Sequence, residues 1–196
     1  HDLDSFGNPF SETGDIEVSQ DRLIAYQNTR YRYDACGNQI QAGRQNEDGS
    51  PHLQTRTFDG LNQLIELKAD QQHTRYEYDP LGRRSAKITG QTRTDYLWDG
   101  DHLVGEHHNG QFRWYIYQLD SFKPMALIEG GQVYVYQLDH LGTPLKLHDQ
   151  QGHCVWAATY SAYGKAAISI EKVQNPIRFQ GQYFDEESGL HYNRFR

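Results

Sequence analysis

Long apolar runs are missing from this sequence. Nothing approaches the roughly 18 residues that a membrane-crossing helix needs, so no membrane span is expected. Aliphatic bulk is scarce too. Leu, Ile, Val and Phe together make up roughly a fifth of the 196 residues, at the edge of the composition where chains stay disordered. The two cysteines, Cys36 and Cys154, have no metal-ligand spacing and frame no disulfide scaffold. Two free, buried thiols in a reducing compartment are expected, with one bond between them as the alternative. There is no basic excess either. The formal net charge of −7 gives no electrostatic footprint for nucleic acid. The start, His1-Asp2-Leu3, has neither Met nor a basic-plus-apolar signal pattern, and reads as the middle of something longer.

What is present is aromatic. Phe, Trp and Tyr are 13% of the chain, 14 of them Tyr, whereas disordered chains are poor in rings. Rings can cover a sheet face that is only half shielded from water. A thick two-layer core would use more Leu, Ile and Val, so the composition fits a thin β structure.

An aromatic or Leu followed by Asp recurs along the chain. The pairs are Leu3-Asp4, Tyr33-Asp34, Phe58-Asp59, Tyr78-Asp79, Trp98-Asp99, Leu119-Asp120, Leu138-Asp139 and Phe184-Asp185. The Asp-to-Asp steps are 30, 25, 20, 20, 21 and 19, then 46; Tyr160-Ser161 divides the last into 22 and 24. Gly follows three residues after the acid in the turns at Asp4, Asp34, Asp79 and Asp139, and Gly164 keeps the spacing after Ser161. This is turn chemistry: the acid accepts from the loop's own amides, and Gly takes the positive φ that closes the turn. Asn62 serves in the Gly place after Asp59, since Asn also adopts a left-handed conformation.

Before each turn the residues alternate. The first and third positions back from the acid are Tyr33 and Tyr31, Tyr78 and Tyr76, Trp98 and Tyr96, Leu119 and Tyr117, Leu138 and Tyr136. A period of two means strands with one ring-rich face. Each unit of about 20 residues is then strand, turn, strand. Such a hairpin cannot bury a face alone, so neighbours must stack in a quasi-linear array. The expected fold is all-β: antiparallel hairpins in a single-layer curved or spiralling sheet. Ordinary hairpins of a sandwich or propeller are the alternative.

Three groups of residues invite a functional reading. His107 and His108 beside Glu106 suggest a metal, but adjacent strand side chains point to opposite faces, and Asn109-Gly110 marks a hairpin turn. The repeat acids suggest paired carboxylates, but their regular period argues that each caps its own turn. Trp98, Trp114 and Trp156 suggest a sugar-binding platform; sheet packing is the reading preferred.

Tyr76-Glu77-Tyr78-Asp79-Pro80-Leu81-Gly82-Arg83-Arg84 resembles the YD repeat of bacterial Rhs proteins, Tc toxin C components and animal teneurins. Tyr136 to Pro144 resembles the Rhs form of the late repeats. The run Asn175 to Asp185, with Ser188-Gly189-Leu190-His191-Tyr192-Asn193-Arg194, resembles the start of the Rhs-associated core segment. The resemblance implies repeat hairpins over residues 1–174 and the start of the core over 175–196. It also implies a hollow shell, a structural segment of a bacterial polymorphic toxin that encapsulates a C-terminal toxin domain. The partners implied are the remainder of the shell and that enclosed toxin, with a type VI secretion spike protein and a chaperone. The route implied is synthesis in the cytoplasm, then secretion and delivery into a competitor or host cell.

The family's aspartyl autoprotease sits on a later DPxGL-type motif. Asp185-Glu186-Glu187-Ser188-Gly189-Leu190 has an extra residue and no Pro, and fits better as an earlier, non-cleaving element of the core. No catalytic, cofactor-binding or metal-ligating residue is therefore carried over, and no cofactor is expected. Cell-surface adhesion or carbohydrate binding is the competing function, and self-cleavage through Asp185 a third. Free strand edges at the two ends should recruit other chains, edge to edge.

Overall fold

The computed structural model describes residues 16–19, 22–26, 28–45, 49–161 and 164–194. The pair Leu3-Asp4 and its turn lie outside the described residues, as do Ala162 and Tyr163 of the Ser161 turn. The described residues form strands, turns and no helix. Two compact units divide the chain, His1–Tyr76 and Glu77–Arg196.

The first unit carries β1 (Ile16–Ser19), β2 (Arg22–Tyr26), β3 (Thr29–Tyr33), β4 (Gln39–Gln45), β5 (Pro51–Phe58) and β6 (Leu64–Ala69). The boundary falls within β7 (Gln72–Tyr78). The second continues with β8 (Arg84–Thr89), β9 (Thr92–Asp99), β10 (His102–His108), β11 (Gln111–Tyr117) and β12 (Pro124–Glu129). It ends with β13 (Gln132–Leu138), β14 (Pro144–His148), β15 (Cys154–Tyr160), β16 (Ala166–Glu171), β17 (Gln182–Asp185) and β18 (Leu190–Asn193). β1 to β16 form one open sheet in strict chain order, and β17 and β18 pair separately. This is the all-β hairpin array that the alternation predicts.

Two kinds of turn occur along the sheet. In one, an Asp carboxylate accepts from the amides two and four residues on. Asp79 Oδ1 accepts from Leu81 and Arg83, both at 2.9 Å, and Asp139 from Leu141 at 2.9 Å and Thr143 at 2.8 Å. Asp59 does the same, and Asn62 takes the left-handed φ of 60° foreseen for it. In the other, two residues reverse the chain, as at Asn109-Gly110 between His108 and Gln111, with φ of 50° and 78°. The φ > 0 at both positions matches the right-handed twist of the strands it joins.

Three acids depart from the expected capping. Asp99 ends β9 opposite His102 across a two-residue turn at Gly100, so no long loop is there to cap. Asp120 itself adopts φ 52°, and Leu119 is 88% exposed. In that hairpin Gln118 holds the acid's place: its amide donates to Lys123 O and its carbonyl accepts from Ser121. The inward rings there are Tyr117 and Tyr115, not Leu119 and Tyr117. Asp185 is buried and caps nothing, as described below. Conversely Asp149, preceded by His148 and so hidden from an aromatic-acid search, caps its turn through Gln151 and His153.

A one-residue slip of the ladder follows several of the turns, tight as well as long. Leu103 pairs with Trp98 but Gly105 with Leu97, leaving Val104 over; Leu138 pairs with Pro144 but Gln137 with Lys146, leaving Leu145 over. Such bulges interrupt backbone pairing and increase twist. A polar-tipped ring at the end of one strand bonds a carbonyl near the start of the strand before it. Tyr117 Oη donates to Leu103 O at 3.0 Å, Tyr160 Oη to Pro144 O at 2.8 Å, and Trp98 Nε1 to Arg84 O at 2.7 Å. In the first unit Tyr33 Oη donates to Leu23 O at 2.9 Å.

The first unit buries Leu64, Leu67, Ala69 and Tyr76 beside Gln54 and Arg56. The second holds the larger cluster, with Tyr96, Leu103, Tyr115, Leu127, Tyr136, Leu147 and Trp156 on one sheet face and Ile177 and Tyr183 packed onto it. Both cysteines are free, but Cys36 is exposed rather than buried, because the Asp34 turn carries it outward.

The caps have a pH signature. Burial raises the Asp139 carboxyl, but the Thr143 and Leu141 amides outweigh this and hold it below the ordinary value. A depressed acid stabilises the fold above its unfolded value of about 4, and that stabilisation is lost as pH falls through the lower folded value. Asp139→Ala is expected to cost about 1 kcal/mol at neutral pH in urea unfolding and to flatten the acid limb. Asp120→Asn is expected to do neither.

Candidate functional site

The features that set one region apart lie where residues 175–194 cross the ring-rich face of the second unit. The crossing begins at Asn175, whose Oδ1 accepts from Tyr136 Oη at 2.9 Å and from its own Ile177 amide at 3.2 Å. Arg178 follows, buried, with Nη1 donating to the Asn175 and Ile177 carbonyls and its guanidinium 4.8 Å from the Phe184 ring. Gln180 reaches the long turn at Asp139, donating from Nε2 to Leu141 O at 2.6 Å.

β17 and β18 are then fixed by charge. Arg84 Nη1 meets Asp185 Oδ2 at 2.5 Å, with side chains only 3% and 1% exposed. Lys87 Nζ lies 3.0 Å from Glu187 Oε2 and 3.7 Å from Asp185 Oδ1. The Arg84 guanidinium sits 4.1 Å from the Tyr192 ring, and its backbone N–H donates to Tyr192 Oη at 2.9 Å. Burial pushes the Asp185 carboxyl up and Glu187 adds to this, while Arg84 and Lys87 pull the other way.

A second anchor is the Glu106 carboxylate, also buried. It accepts from Tyr183 Oη at 2.7 Å, Tyr115 Oη at 3.1 Å and Arg113 Nη1 at 2.8 Å; Arg113 Nη2 reaches on to Glu129 at 2.7 Å. The rings of Tyr96 and Tyr183 pack edge to face with centroids 5.4 Å apart. Together these contacts tie the hairpin to β8, β9, β10 and β11. Beside it opens a polar cleft of about 210 Å³, lined by Lys87, Thr94, Glu106, Arg113 and Glu129 among others. The arrangement holds one strand pair on another by buried ion pairs and phenol hydroxyls; its chemistry is that of a clasp.

The residues weighed in the sequence scatter. His107 and His108 lie at the end of β10, His108 bonded to Thr94 and His107 3.9 Å from Asp95. Among the described residues no three His, Cys, Asp or Glu side chains are grouped as metal ligands. Trp156 is fully buried and Trp98 packs against Tyr192, which leaves Trp114 exposed by itself among the three. Arg84 and Lys87 on β8 were not singled out by spacing, and Glu106 on β10 only as a neighbour of His107, because their partners lie far along the chain. Their one signal in the sequence is a charge at an inward position of an otherwise apolar alternation.

The class this defines is an open hairpin-repeat wall with its C-terminal hairpin clasped onto one face. A model of the family described as RHS protein matches residues 133–170. The chain is 30% identical to a double-stranded DNA deaminase toxin A of Burkholderia cenocepacia over 91% of its own length and 15% of that protein's. It is 30% identical to toxin protein Tse5 of Pseudomonas aeruginosa, over 93% of this chain and 17% of that one. A probable deoxyribonuclease RhsA of Dickeya dadantii gives 30% over 89% and 13%. The chain thus spans about a sixth of these curated relatives. The fold recurs in the Tc holotoxin pore of Photorhabdus luminescens, with a TM-score of 0.56 at 15% identity, covering 86% of this chain and 11% of that one. The chain belongs to the Rhs, or YD-repeat, family.

Removing one partner of a buried ion pair leaves the other charged and unsatisfied. Asp185→Asn is therefore expected to destabilise the chain by about 3 kcal/mol. Arg84→Met combined with Asp185→Leu should recover most of that loss. Equal losses in urea unfolding of the single and double variants would rule out this pair as the clasp.

Proposed function

We propose that this chain is a wall segment of an Rhs shell that encloses a C-terminal toxin domain, and that it performs no chemical step itself. The observation that carries the reading is the clasp. An open single sheet turns its ring-rich face toward a C-terminal segment of its own chain and binds that segment by buried polar bonds. On this reading residues 1–174 are wall, and 175–196 begin the core segment that closes it. The rest of the shell and the toxin are its partners, and a secretion spike and a chaperone serve delivery after synthesis in the cytoplasm. The deaminase and nuclease named in the relatives supply the kind of cargo, a toxin acting on nucleic acid in a target cell.

One observation favours a second reading, self-cleavage through Asp185. Its carboxyl is buried, and burial and Glu187 push it up while Arg84 and Lys87 pull it down. The acid facing it, Glu187, is held by Lys87.

Native proteolysis of the full-length product separates these. The C-terminal domain should survive trypsin in the wild type and become at least tenfold more sensitive in Tyr115→Ala, which empties the centre of the clasped core. Equal sensitivity in both would overturn enclosure. Loss of a processed C-terminal fragment in Asp185→Asn, with protection intact, would establish the second reading instead. The outer edge of β16, Ala166–Glu171, carries a single charge and, among the described residues, pairs only with β15, so the isolated chain should dimerise in light scattering. A monomer at high concentration would count against this.

A further inference from the structure

The face of the second unit's sheet opposite the clasp should be polar, as the outer side of an alternating strand usually is. Over β10 to β13 it is not. The strand register puts Leu97, Gly105, Trp114, Ile128 and Val133 in one row across five strands. Ile116, Ala126 and Val135 form the next row. His107 and Phe112 begin a third, with their rings 4.5 Å apart. Ile116, Val135 and Phe112 are 44%, 53% and 47% exposed, so none of the described residues covers them.

The patch is built, not incidental. A Cβ on Gly105 would lie 2.8 Å from Trp114 Cε3, so glycine is what lets the indole settle onto the neighbouring strand. Phe112 stacks parallel to that indole, with an interplanar angle of 8° and centroids 5.5 Å apart. The rim is charged. On one side Arg93 bonds Asp95 at 2.7 Å and Glu77 at 3.0 Å; on the other stand Lys146 and His148.

Size decides what fits. Strands about 4.8 Å apart and about 3.3 Å per residue make the apolar area roughly 18 Å square, or about 300–400 Å². Two proteins that dimerise stably bury about 800 Å² each, so this patch is too small for a second copy packed face to face. A helix is about 10–12 Å across and about 16 Å long in three turns. Such a helix, laid on the sheet with apolar residues at i, i+3, i+4 and i+7, covers the three rows and brings its polar flanks to the charged rim. We infer that the outer face over β10–β13 is a docking surface for one amphipathic helix of a partner protein. This stands on the sheet's geometry and holds whether or not the shell encloses a toxin.

The test uses the full chain and a fluorescein-labelled 18-residue helical peptide with Leu at i, i+3, i+4 and i+7 and Lys and Glu elsewhere. Saturable anisotropy is expected, weakened at least tenfold by Ile116→Lys and by Val135→Lys and unchanged by Leu141→Lys, an exposed apolar control on a turn. Near-ultraviolet circular dichroism establishes that each variant is folded. Four results would overturn the assignment: no binding by the wild type, equal binding of a peptide of the same composition with its Leu residues scrambled, no effect of either patch variant, or a dimer in light scattering that Ile116→Lys dissolves. Saturable binding to a glycan array abolished by Trp114→Ala would also overturn it, in favour of a carbohydrate platform.

Discussion

The wall depends on one hydrogen bond, repeated. A bulge follows the turns at Asp34, Asp59, Gly100, Gln118 and Asp139, and a bulge interrupts the backbone ladder. A polar-tipped ring from the next hairpin donates to a carbonyl just after the turn: Tyr117 to Leu103, Tyr160 to Pro144, Trp98 to Arg84. A buried carbonyl without a donor costs about 1–3 kcal/mol. The ring must therefore bring both an apolar body for the face and a donor at its far end. Tyr and Trp do so and Phe does not, which is the physical content of a tyrosine before the turn acid. At the Asp139 turn all three meet: the acid caps the turn, the bulge follows at Leu145, and Tyr160 bonds the Pro144 carbonyl.

Polarity is distributed by the same logic. With few aliphatic residues, the sheet cannot hold a second layer by hydrophobic area alone. It clasps residues 175–194 with charges placed at inward positions, Arg84, Lys87 and Glu106, which meet Asp185, Glu187 and Tyr183. Ion pairs so buried add little net stability over apolar packing, but they penalise every misregistered arrangement. The hairpin thereby gains a defined seat.

Much of the fold was legible because its period is written twice, in the Asp-Gly turn and in the alternation before it. The sequence misleads where one mark occurs without the other. Leu119-Asp120 has the dipeptide but a shifted turn, and Asp149 has the turn without an aromatic partner. Gly100 shows a tight reversal replacing a long one. The clasp was not legible, because its charges lie about 100 residues from their partners and nothing local announces the pairing. Only the buried position of Arg84, one residue past Arg83 at the Asp79 turn, distinguishes it from a solvated neighbour. Trp114 was visible as a ring, but its exposure follows from Gly105 on the adjacent strand, a cross-strand relation that spacing cannot express.

Each of the bonds from Tyr33, Trp98, Tyr117 and Tyr160 joins one hairpin to the hairpin immediately before it. A wall assembled this way has no preferred length. A recombination event that deletes or duplicates a whole hairpin restores the same junction and leaves the remaining bonds intact. The number of hairpins in such a sheet is free to drift in steps of about 20 residues. The stretch under the clasp has no such freedom, since losing a hairpin between Arg84 and Asp185 would separate partners drawn from opposite ends of it. Variation in hairpin number among relatives should therefore concentrate ahead of Arg84, and the last hairpins should keep a constant count.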